Sequence, residues 1–526
     1  MATLGELEHA FQNGCLSRRD FLTRVSALGM VATSGLLSVM PARADTPKKG
    51  GRLRLGVAGG STSDSLDPAT ITDTMATNLS FGQLRNNLVE VNAKSEPIPE
   101  LAESWDVSAD AVTWTFKLRK GVEFHNGKTL DAEDVLASFN HHRGEDSKSA
   151  AKSLLESVKA IRADGKHTVV FELTAGNADF PFITSDYHLT IQPAGADLSK
   201  GVGTGGYILQ DFEPGVRAFA KRNPNYWKEG RAHFDEVETT GIADVNARTN
   251  ALQTGEIDAM NRCELKTVHL LQRVKGIQIL QTNGTKHYSI PMLTDVAPFD
   301  NNDIRLALKY AIDRKALLNT ILRGYGTLGN DHPIGRSQRF FAADLPQREY
   351  DPDKAKFHLK QAGLDQLSVK LSASEAAFVG AVDSAVLYKE QAAKAGIEID
   401  IIREPKDGYW DNVWMKKPFS MCFWSGRPTS DWMFTTAYAE GAAWNDTHFK
   451  HEQFNQLLIA ARAELNEAKR RQMYAELQQI VSNEGGVVIP MFAADVLAAK
   501  DTLRHGEIAS NWELDGNKCA ERWWWA

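Results

Sequence analysis

The feature that most constrains the fold is a strand, helix, strand order in the C-terminal half of the chain. The pattern predicts strands over Leu367–Leu371 and Ile397–Ile402, and the segment between them has helical spacing and ends at Ala395-Gly396. Two strands joined by such a crossover pair in parallel within one sheet. The chain therefore contains an α/β unit.

Similar patterns recur along the rest of the sequence. Two-residue alternation predicts strands over Arg52–Val57 and Thr113–Leu118. Helical stripes that predict core faces are formed by three sets of residues: Ile304, Leu308, Ala311 and Ile312; Phe378, Val382, Ala385 and Val386; and Phe454, Leu457, Leu458, Ala461 and Leu465. There is no internal repeat or Pro-rich linker, so we expect an α/β protein whose domains are interleaved.

The N-terminal segment has the pattern of an export signal. Ser17-Arg18-Arg19-Asp20-Phe21-Leu22 precedes a mild apolar run, Val25–Val39, which is too short and too weak to span a membrane. An Ala42-Arg43-Ala44 site follows. The pattern predicts that residues 1–44 are a twin-arginine-type signal peptide with Arg18 and Arg19 as its arginine pair, removed by cleavage after Ala44. The remaining chain is expected to be exported and soluble.

Cysteine spacing and charge exclude several classes of protein. Cys15 leaves with the signal, and Cys263, Cys422 and Cys519 form no C-x-x-C pair, so neither a disulfide framework nor a zinc site is indicated. One disulfide among these three cysteines is possible, and the sequence does not indicate which two would pair. The formal net charge is −7 and the basic residues are dispersed, so no nucleic-acid partner is expected.

Motifs for catalysis or cofactor binding are also missing from the sequence. It contains no G-x-S-x-G, H-E-x-x-H or P-loop pattern. Gly201–Gly206 fits G-x-G-x-x-G, but strand-like Tyr207-Ile208-Leu209 follows it where a dinucleotide site needs a helix. His141-His142 and the pair His448 and His451 lack the companions of a metal site. We expect no cofactor, no metal and no enzymatic activity.

One long segment carries a family resemblance. From Leu101 the chain reads LAESWDVSADAVTWTFKLRKGVEFHNGKTLDAEDV, which resembles the characteristic segment of the extracellular peptide, nickel and opine binding proteins. Further ordered matches cover essentially the whole chain after residue 44: Ser65-Leu66-Asp67-Pro68, Gly203-Thr204-Gly205-Gly206-Tyr207, Asn223-Pro224-Asn225-Tyr226-Trp227, Asp303-Ile304-Arg305, Ala311-Ile312-Asp313-Arg314 and Tyr350-Asp351-Pro352.

The resemblance implies a clam-shell protein with two lobes that close by hinge motion around a ligand. Its first lobe would be discontinuous, comprising residues 45–89, 206–287 and 494–526. A small domain, 90–205, would be inserted in that lobe, and 288–493 would form the second lobe. Such a protein would be a monomer in the periplasm of a Gram-negative bacterium. It would deliver a small solute to the permease and ATPase subunits of an ABC importer.

The resemblance also places a ligand site on the loop after a strand of the second lobe. In peptide-binding members an acidic residue three positions after a Trp pairs with the peptide amino group. Here Trp424 is retained, Ser425 and Gly426 follow, and Arg427 replaces the acid. An arginine suits carboxylate or phosphate, so we expect an anionic ligand that is peptide-like, opine-like or another anionic compound. Trp424 would be a wall on which the ligand stacks, and simple core packing is the alternative for this residue. An ion pair from Arg427 to Asp431, or a hydrogen bond to a loop carbonyl, is the structural alternative.

A second part of the site is expected in the loop after the first strand. Alignment with peptide receptors places Thr72, Asp73 and Thr74 at the entrance to the cleft, although the same residues suit an exposed turn. Two rival functions remain open from the sequence. One is a secreted α/β hydrolase, and the other is a sensory or chaperone protein of the same fold.

Overall fold

A nine-stranded sheet forms the centre of residues 47–526, which are the residues described by a computed structural model. The predicted signal, with Arg18, Arg19 and the cleavage point after Ala44, lies outside them. The strands follow the order β16 (Cys422–Trp424), β12 (Ile277–Pro291), β17 (Val487–Lys500), β11 (Ala259–Met260), β1 (Arg52–Val57), β10 (Glu236–Gly241), β9 (Arg217–Arg222) and β8 (Tyr207–Glu213), with β13 (Gly326–Leu328) also paired to β17. β1 is parallel to β10 and β11, and the other pairs are antiparallel.

The two long strands β12 and β17 connect two separately packed halves of the molecule. Toward one end of β12, Ile279 and Leu280 pack with hydrophobic clusters drawn from residues 53–84, 207–274 and 494–525. Beyond a register shift between Asn283 and His287, the strand instead contributes Tyr288 to a cluster drawn from residues 288–493. The ladder is therefore interrupted where the chain passes from one core to the other.

A third hydrophobic core lies within residues 88–191. It covers a four-stranded antiparallel sheet in the order β4 (Ala102–Val107), β5 (Thr113–Leu118), β7 (Thr168–Leu173) and β6 (Val158–Ala163). A short ladder of β2 (Val89–Val91) and β3 (Pro97–Pro99) precedes it. The strand predicted over Thr113–Leu118 is confirmed, because its alternate side chains Trp114, Phe116 and Leu118 are buried.

Many of the helices begin at a side chain that caps the first turn. Asp131, for example, forms a capping box with Asp134 at the start of the helix Ala132–His141. The described helices are α1 (Thr74–Leu79), α2 (Ala132–His141), α3 (Phe180–Ile183), α4 (Val245–Thr254), α5 (Val268–Leu271), α6 (Asn302–Tyr310), α7 (Arg314–Ile321), α8 (Pro352–Gln361), α9 (Ala381–Ala393), α10 (Tyr409–Asn412), α11 (Ser430–Ala437), α12 (Glu452–Ala463), α13 (Glu467–Glu484) and α14 (Cys519–Arg522). Within residues 47–526, none of them is long and apolar enough to cross a membrane.

The predicted crossover in the C-terminal half is confirmed. β14 (Leu367–Ala373) and β15 (Ile397–Arg403) are parallel neighbours, and α9 joins them. The helical stripes are wrong at five positions. Ala311 and Ile312 are buried but follow the end of α6, and Phe378 is buried but precedes α9. Val386 is 37% exposed on the outer face of α9, and Leu465 lies beyond the end of α12 and is 40% exposed. Apolar spacing alone does not indicate where a helix begins, ends or faces solvent.

The C-terminus packs back onto the first half of the chain. A two-stranded ladder joins β18 (Leu503–Arg504) to β19 (Trp524–Trp525), and the Trp523 side chain is fully buried. Before α14, residues 514–517 all have positive φ angles near 60° and form a left-handed turn. Such a run costs roughly 1–2 kcal/mol per non-glycine residue, so surrounding contacts must hold it in place.

Candidate functional site

A cavity of about 970 Å³ opens where the two halves meet. One wall comes from the half of the molecule that contains residues 53–84, 207–274 and 494–525, and from β12 and β17, which we call the junction strands. This wall carries Asn261, Arg262, Lys286, Asp495, Trp512 and Glu513. The facing wall comes from residues 320–425 and carries Arg323, Glu375, Asp383 and Ser425. Charged groups of both signs therefore line the cavity, which we call the cleft.

A smaller pocket beside the cleft contains Arg427. It shares Thr285, Asn511 and Trp512 with the cleft lining, and Asp186 of the 88–191 core region lies on its far side. Segments from the first half, from the second half and from the 88–191 region thus come together around the predicted ligand loop.

Trp424 is held inside the second half of the molecule. Its side chain is 6% exposed, and its indole Nε1–H donates to Asp446 Oδ2 at 3.2 Å. The Trp414 and Trp444 rings lie 6.2 and 6.1 Å away, measured between ring centroids. Burial raises the pKa of Asp446 to about 6, while the hydrogen bonds from Trp414 and Trp424 lower it. Trp424 is therefore anchored in the core.

Ser425 and Gly426 shape the backbone of the predicted loop. Ser425 lines the cleft, and its carbonyl accepts a hydrogen bond from Thr285 Oγ1 at 3.3 Å. Gly426 has a φ of +80°, and a Cβ at this position would lie only 2.2 Å from the same Thr285 oxygen. Only glycine fits here, because the loop is pressed against β12.

Arg427 has no acidic partner within the described chain. Its Nη1 donates to the carbonyl of Gly426 at 2.7 Å, and its guanidinium carbon lies 5.5 Å from the ring centroid of Trp424 and 5.9 Å from that of Trp444. Desolvation by burial lowers its pKa. The charge is thus partly desolvated and faces aromatic rings and the pocket rather than a carboxylate.

The alternative pairing of Arg427 with Asp431 does not form, whereas the alternative hydrogen bond to a loop carbonyl does. Asp431 pairs with Arg462 Nε at 3.1 Å. Thr429 caps α11 by accepting the N–H of Trp432 at 3.1 Å, as expected for a helix N-terminus. The acidic residue nearest in sequence is therefore occupied elsewhere.

The three predicted residues near the first strand have different environments. Asp73 caps α1, accepting the N–H of Met75 at 2.7 Å and that of Gly60 at 2.8 Å. Thr74 Oγ1 donates to Glu513 at 3.1 Å, next to the cleft wall. Thr72 is exposed and does not line the cleft. Only Thr74 joins the polar network at the cleft.

Sequence reasoning missed two charged residues at the junction strands. Lys286 and Asp495 line the cleft, and neither makes a side-chain hydrogen bond or ion pair to another described residue. The Lys286 ammonium lies 5.3 Å from the Phe423 ring centroid. Burial, followed by the nearby charge of Glu513, raises the pKa of Asp495 to about 6, and burial lowers the pKa of Lys286. No motif surrounds either residue, so the sequence gives no sign of them.

Glu513 binds neighbouring polar side chains on the same wall of the cleft as Lys286 and Asp495. It accepts hydrogen bonds from Asn261 Nδ2 at 2.9 Å and from Arg262 Nη2 at 2.8 Å. It stands immediately before the left-handed turn, where Asp515 accepts from Trp523 Nε1 at 2.9 Å and pairs with Arg522 at 2.9 Å. These buried contacts hold the strained turn that presents Glu513 to the cleft.

The cleft contains polar binding groups, and its one cysteine is unsuited to nucleophilic chemistry. Cys263 lines it, and burial raises the pKa of that thiol to about 12. Cys422 and Cys519 are also buried, and all three cysteines are free. The thiolate needed for nucleophilic attack or metal binding is thus disfavoured at Cys263.

Comparisons with known proteins give a consistent family. Residues 96–446 match the sequence profile of the bacterial extracellular solute-binding proteins, family 5. Heme-binding protein A of Haemophilus influenzae is 31% identical over 56% of this chain and 59% of its own length. The dipeptide-binding protein of Escherichia coli is 26% identical over 81% of this chain and 86% of its own, and the glutathione-binding protein GsiB of Pectobacterium atrosepticum is 26% identical over 80% and 85%.

Solved structures give the same fold. HbpA2 from Haemophilus parasuis superposes with a TM-score of 0.80 at 21% identity, covering 89% of this chain and 99% of that one. The periplasmic binding protein DppA from Helicobacter pylori, in complex with a peptide, gives a TM-score of 0.70 at 24% identity over 91% and 99%. The predicted two-lobed α/β fold is thereby confirmed. The chain belongs to the bacterial extracellular solute-binding proteins, family 5, and is the solute-binding component of an ABC importer rather than an enzyme.

Proposed function

We propose that the chain captures a small solute carrying a carboxylate in the cleft and that Arg427 binds that group. The observation that carries the proposal is the guanidinium of Arg427, which is partly desolvated, backed by two tryptophan rings and unpaired with any described carboxylate. The planar guanidinium group presents parallel N–H donors that bind a carboxylate in bidentate geometry. Arg427 therefore offers donors that the folded chain leaves available to a ligand.

The names of the relatives are compatible with this chemistry. Dipeptides, glutathione and heme, which the names of three relatives specify, all carry at least one carboxylate. Dipeptides and glutathione also carry an amino group. In this chain Asp495 is an unpaired carboxylate on the cleft wall, and Lys286 is an unpaired cation there. A peptide-like acid would thus find groups of both signs in the cleft.

We propose the lobe boundaries that the family resemblance implies, and the division of the hydrophobic cores supports them except at Leu88 and Val89, which pack in the 88–191 core. The first lobe comprises residues 45–89, 206–287 and 494–526, the inserted small domain 90–205, and the second lobe 288–493. The hinge then falls where β12 and β17 pass between the cores, next to Lys286 and Asp495. Closure around a ligand would bring Arg427, on the second lobe, toward the wall formed by the first.

We further propose that residues 1–44 are a twin-arginine signal, so that the protein acts in the periplasm of a Gram-negative bacterium. It would work as a monomer and deliver its ligand to the permease and ATPase subunits at the inner membrane. The pairing of Arg18 with Arg19 in S-R-R-x-F-L supports export of the folded chain. Replacing both arginines by lysine should leave the precursor in the cytoplasm, which fractionation would show.

Thermal unfolding of residues 45–526 against a ligand panel tests the proposal. The panel pairs glutathione, dipeptides and opines with their amides. A ligand at one hundred times its Kd adds about 2.7 kcal/mol to the folded state, which gives a clear shift. Acids should stabilise the protein and their amides should not, and Arg427→Ala should cost about 2–5 kcal/mol of binding free energy.

A different cation on the cleft wall supplies the control. Arg323 is exposed and lines the cleft, so Arg323→Ala removes a positive charge from the cavity next to the Arg427 pocket without touching the Arg427 loop. Equal losses in both variants would refute a specific role for Arg427. If amides bind as well as acids while Asp495→Asn abolishes binding, the ligand is instead held by its amino group.

A further inference from the structure

A second, separate cavity of about 230 Å³ lies within the 288–493 half. None of its lining residues lines the cleft or the Arg427 pocket. A water molecule occupies about 30 Å³ in the liquid, so the space is far larger than one bridging water requires. Two polar side chains of its lining, Asn330 and Gln347, already donate to backbone carbonyls, of Pro346 at 3.0 Å and of Gly329 at 2.8 Å.

His332 is a buried polar group of this cavity that lacks a hydrogen-bond partner. It is 1% exposed, and neither ring nitrogen has a hydrogen-bond partner among the described residues. The preceding residue, Asp331, is fixed by Arg314 and Arg348, each at 2.6 Å, and by the N–H of Ile489 at 3.0 Å. The backbone that carries His332 is therefore rigidly held, while its ring is left free to bind.

The protonation state of His332 defines what it can bind. Burial lowers its pKa to about 4, so the ring is neutral at physiological pH. A neutral imidazole has one N–H donor and one acceptor nitrogen. It therefore suits a hydroxyl group, which both donates and accepts, better than it suits a second ion.

Aromatic walls and a cation complete the cavity. The Phe341 ring lies 6.0 Å from the His332 ring, and Phe492 forms another part of the lining. Arg336 is exposed, and its guanidinium carbon lies 5.3 Å from the Phe341 ring centroid. It forms no ion pair with another described residue. Asp344 also lines the cavity and is exposed, so a second negative charge on a ligand would be repelled.

We propose that this cavity is a second ligand site, which takes a small aromatic monocarboxylate bearing a hydroxyl group. The carboxylate binds Arg336, the ring packs against Phe341 and Phe492, and the hydroxyl exchanges hydrogen bonds with His332. A molecule of the size of 4-hydroxybenzoate suits the cavity volume. The site differs from the cleft in its residues, its size and its single cation, so the two sites can be occupied independently.

Calorimetric titration of residues 45–526 with 4-hydroxybenzoate, benzoate and phenol tests this assignment. We expect 4-hydroxybenzoate to bind more tightly than either of the others, because each lacks one of the two polar groups. Arg336→Gln should weaken binding by about tenfold or more, the usual contribution of a charge-assisted hydrogen bond. His332→Leu should remove the preference for 4-hydroxybenzoate over benzoate.

Two controls keep the result decisive. Arg336 is exposed, so Arg336→Gln should fold normally even if His332→Leu does not. Arg427→Gln alters the cleft loop and should leave 4-hydroxybenzoate binding unchanged. The proposal is overturned if no binding heat appears at millimolar concentration, if Arg336→Gln has no effect, or if Arg427→Gln abolishes binding. Loss of binding in Arg427→Gln would indicate that 4-hydroxybenzoate binds in the cleft instead.

Discussion

The guanidinium of Arg427 lies over the indole ring of Trp424, with 5.5 Å between the guanidinium carbon and the ring centroid. The ring is fixed from behind by its hydrogen bond to Asp446, so it positions the cation without competing for its N–H donors. A cation over an aromatic face is attracted to the ring yet keeps its in-plane donors available. This arrangement favours anion capture over an internal ion pair.

Trp444 should contribute to ligand affinity through Arg427. It is 49% exposed and lies 5.9 Å from the same guanidinium, so Trp444→Ala should cost about 0.5–2 kcal/mol of binding with little change in Tm. Trp410 is the matched control, because it is 38% exposed and belongs to the same aromatic group without contacting Arg427. Isothermal titration with the ligand found by the panel would measure both. Equal losses of binding free energy in the two variants would indicate that Trp444 acts through packing of the aromatic group and not through Arg427.

Gly426 should be far less tolerant of a side chain than another glycine with the same backbone angle. Gly426→Ala places a Cβ 2.2 Å from Thr285 Oγ1, whereas Gly441 has a φ of +78° and nothing within 4 Å of its Cβ position. We expect Gly441→Ala to cost about 1–2 kcal/mol of unfolding free energy from its backbone angle alone. Gly426→Ala should cost more and should also weaken ligand binding. Chemical denaturation would reveal the difference, and similar costs would contradict the close contact.

Asp446 should make stability depend on pH in a defined direction. Its pKa is raised to about 6 in the folded protein and is about 3.9 when unfolded. The folded state therefore binds the proton more tightly, so this contribution is fully present below pH ~4 and is lost as the pH rises through ~6. The stability of the parent protein relative to Asp446→Asn should fall by about 2–3 kcal/mol over that range. A difference in unfolding free energy between the two proteins that does not change with pH would contradict the raised pKa of Asp446.

The left-handed turn beside Glu513 should depend on Asp515. The Asp515 side chain is 2% exposed, so Asp515→Ala breaks a buried pair with Arg522 and should cost about 3–5 kcal/mol of stability. Asp211→Ala is the control, because its pair with Arg217 is 59% and 44% exposed and should be worth less than about 1 kcal/mol. Thermal unfolding would compare them. A small loss for Asp515→Ala would mean that the turn is held by other contacts.

Much of the fold could be predicted because it depends on local pattern. β1, β5 and the crossover of β14, α9 and β15 follow directly from alternation and spacing. The errors in the helical stripes, such as those at Ala311, Phe378 and Val386, come from helix ends and helix orientation, which are set by packing. The same limit applies to the site, because the sequence predicts Asp73 as a ligand contact but does not indicate that its side chain also caps α1.

By itself, the sequence determined the strand and helix pattern, the family motifs and the replacement of an acidic residue by Arg427. Only the tertiary structure decided that Asp431 pairs with Arg462, that Lys286 and Asp495 are left unpaired in the cleft, and that His332 borders a separate cavity. The reason is physical. Hydrophobic periodicity is a local property, whereas the partner and the desolvation of a charge depend on groups that the fold brings from distant parts of the chain.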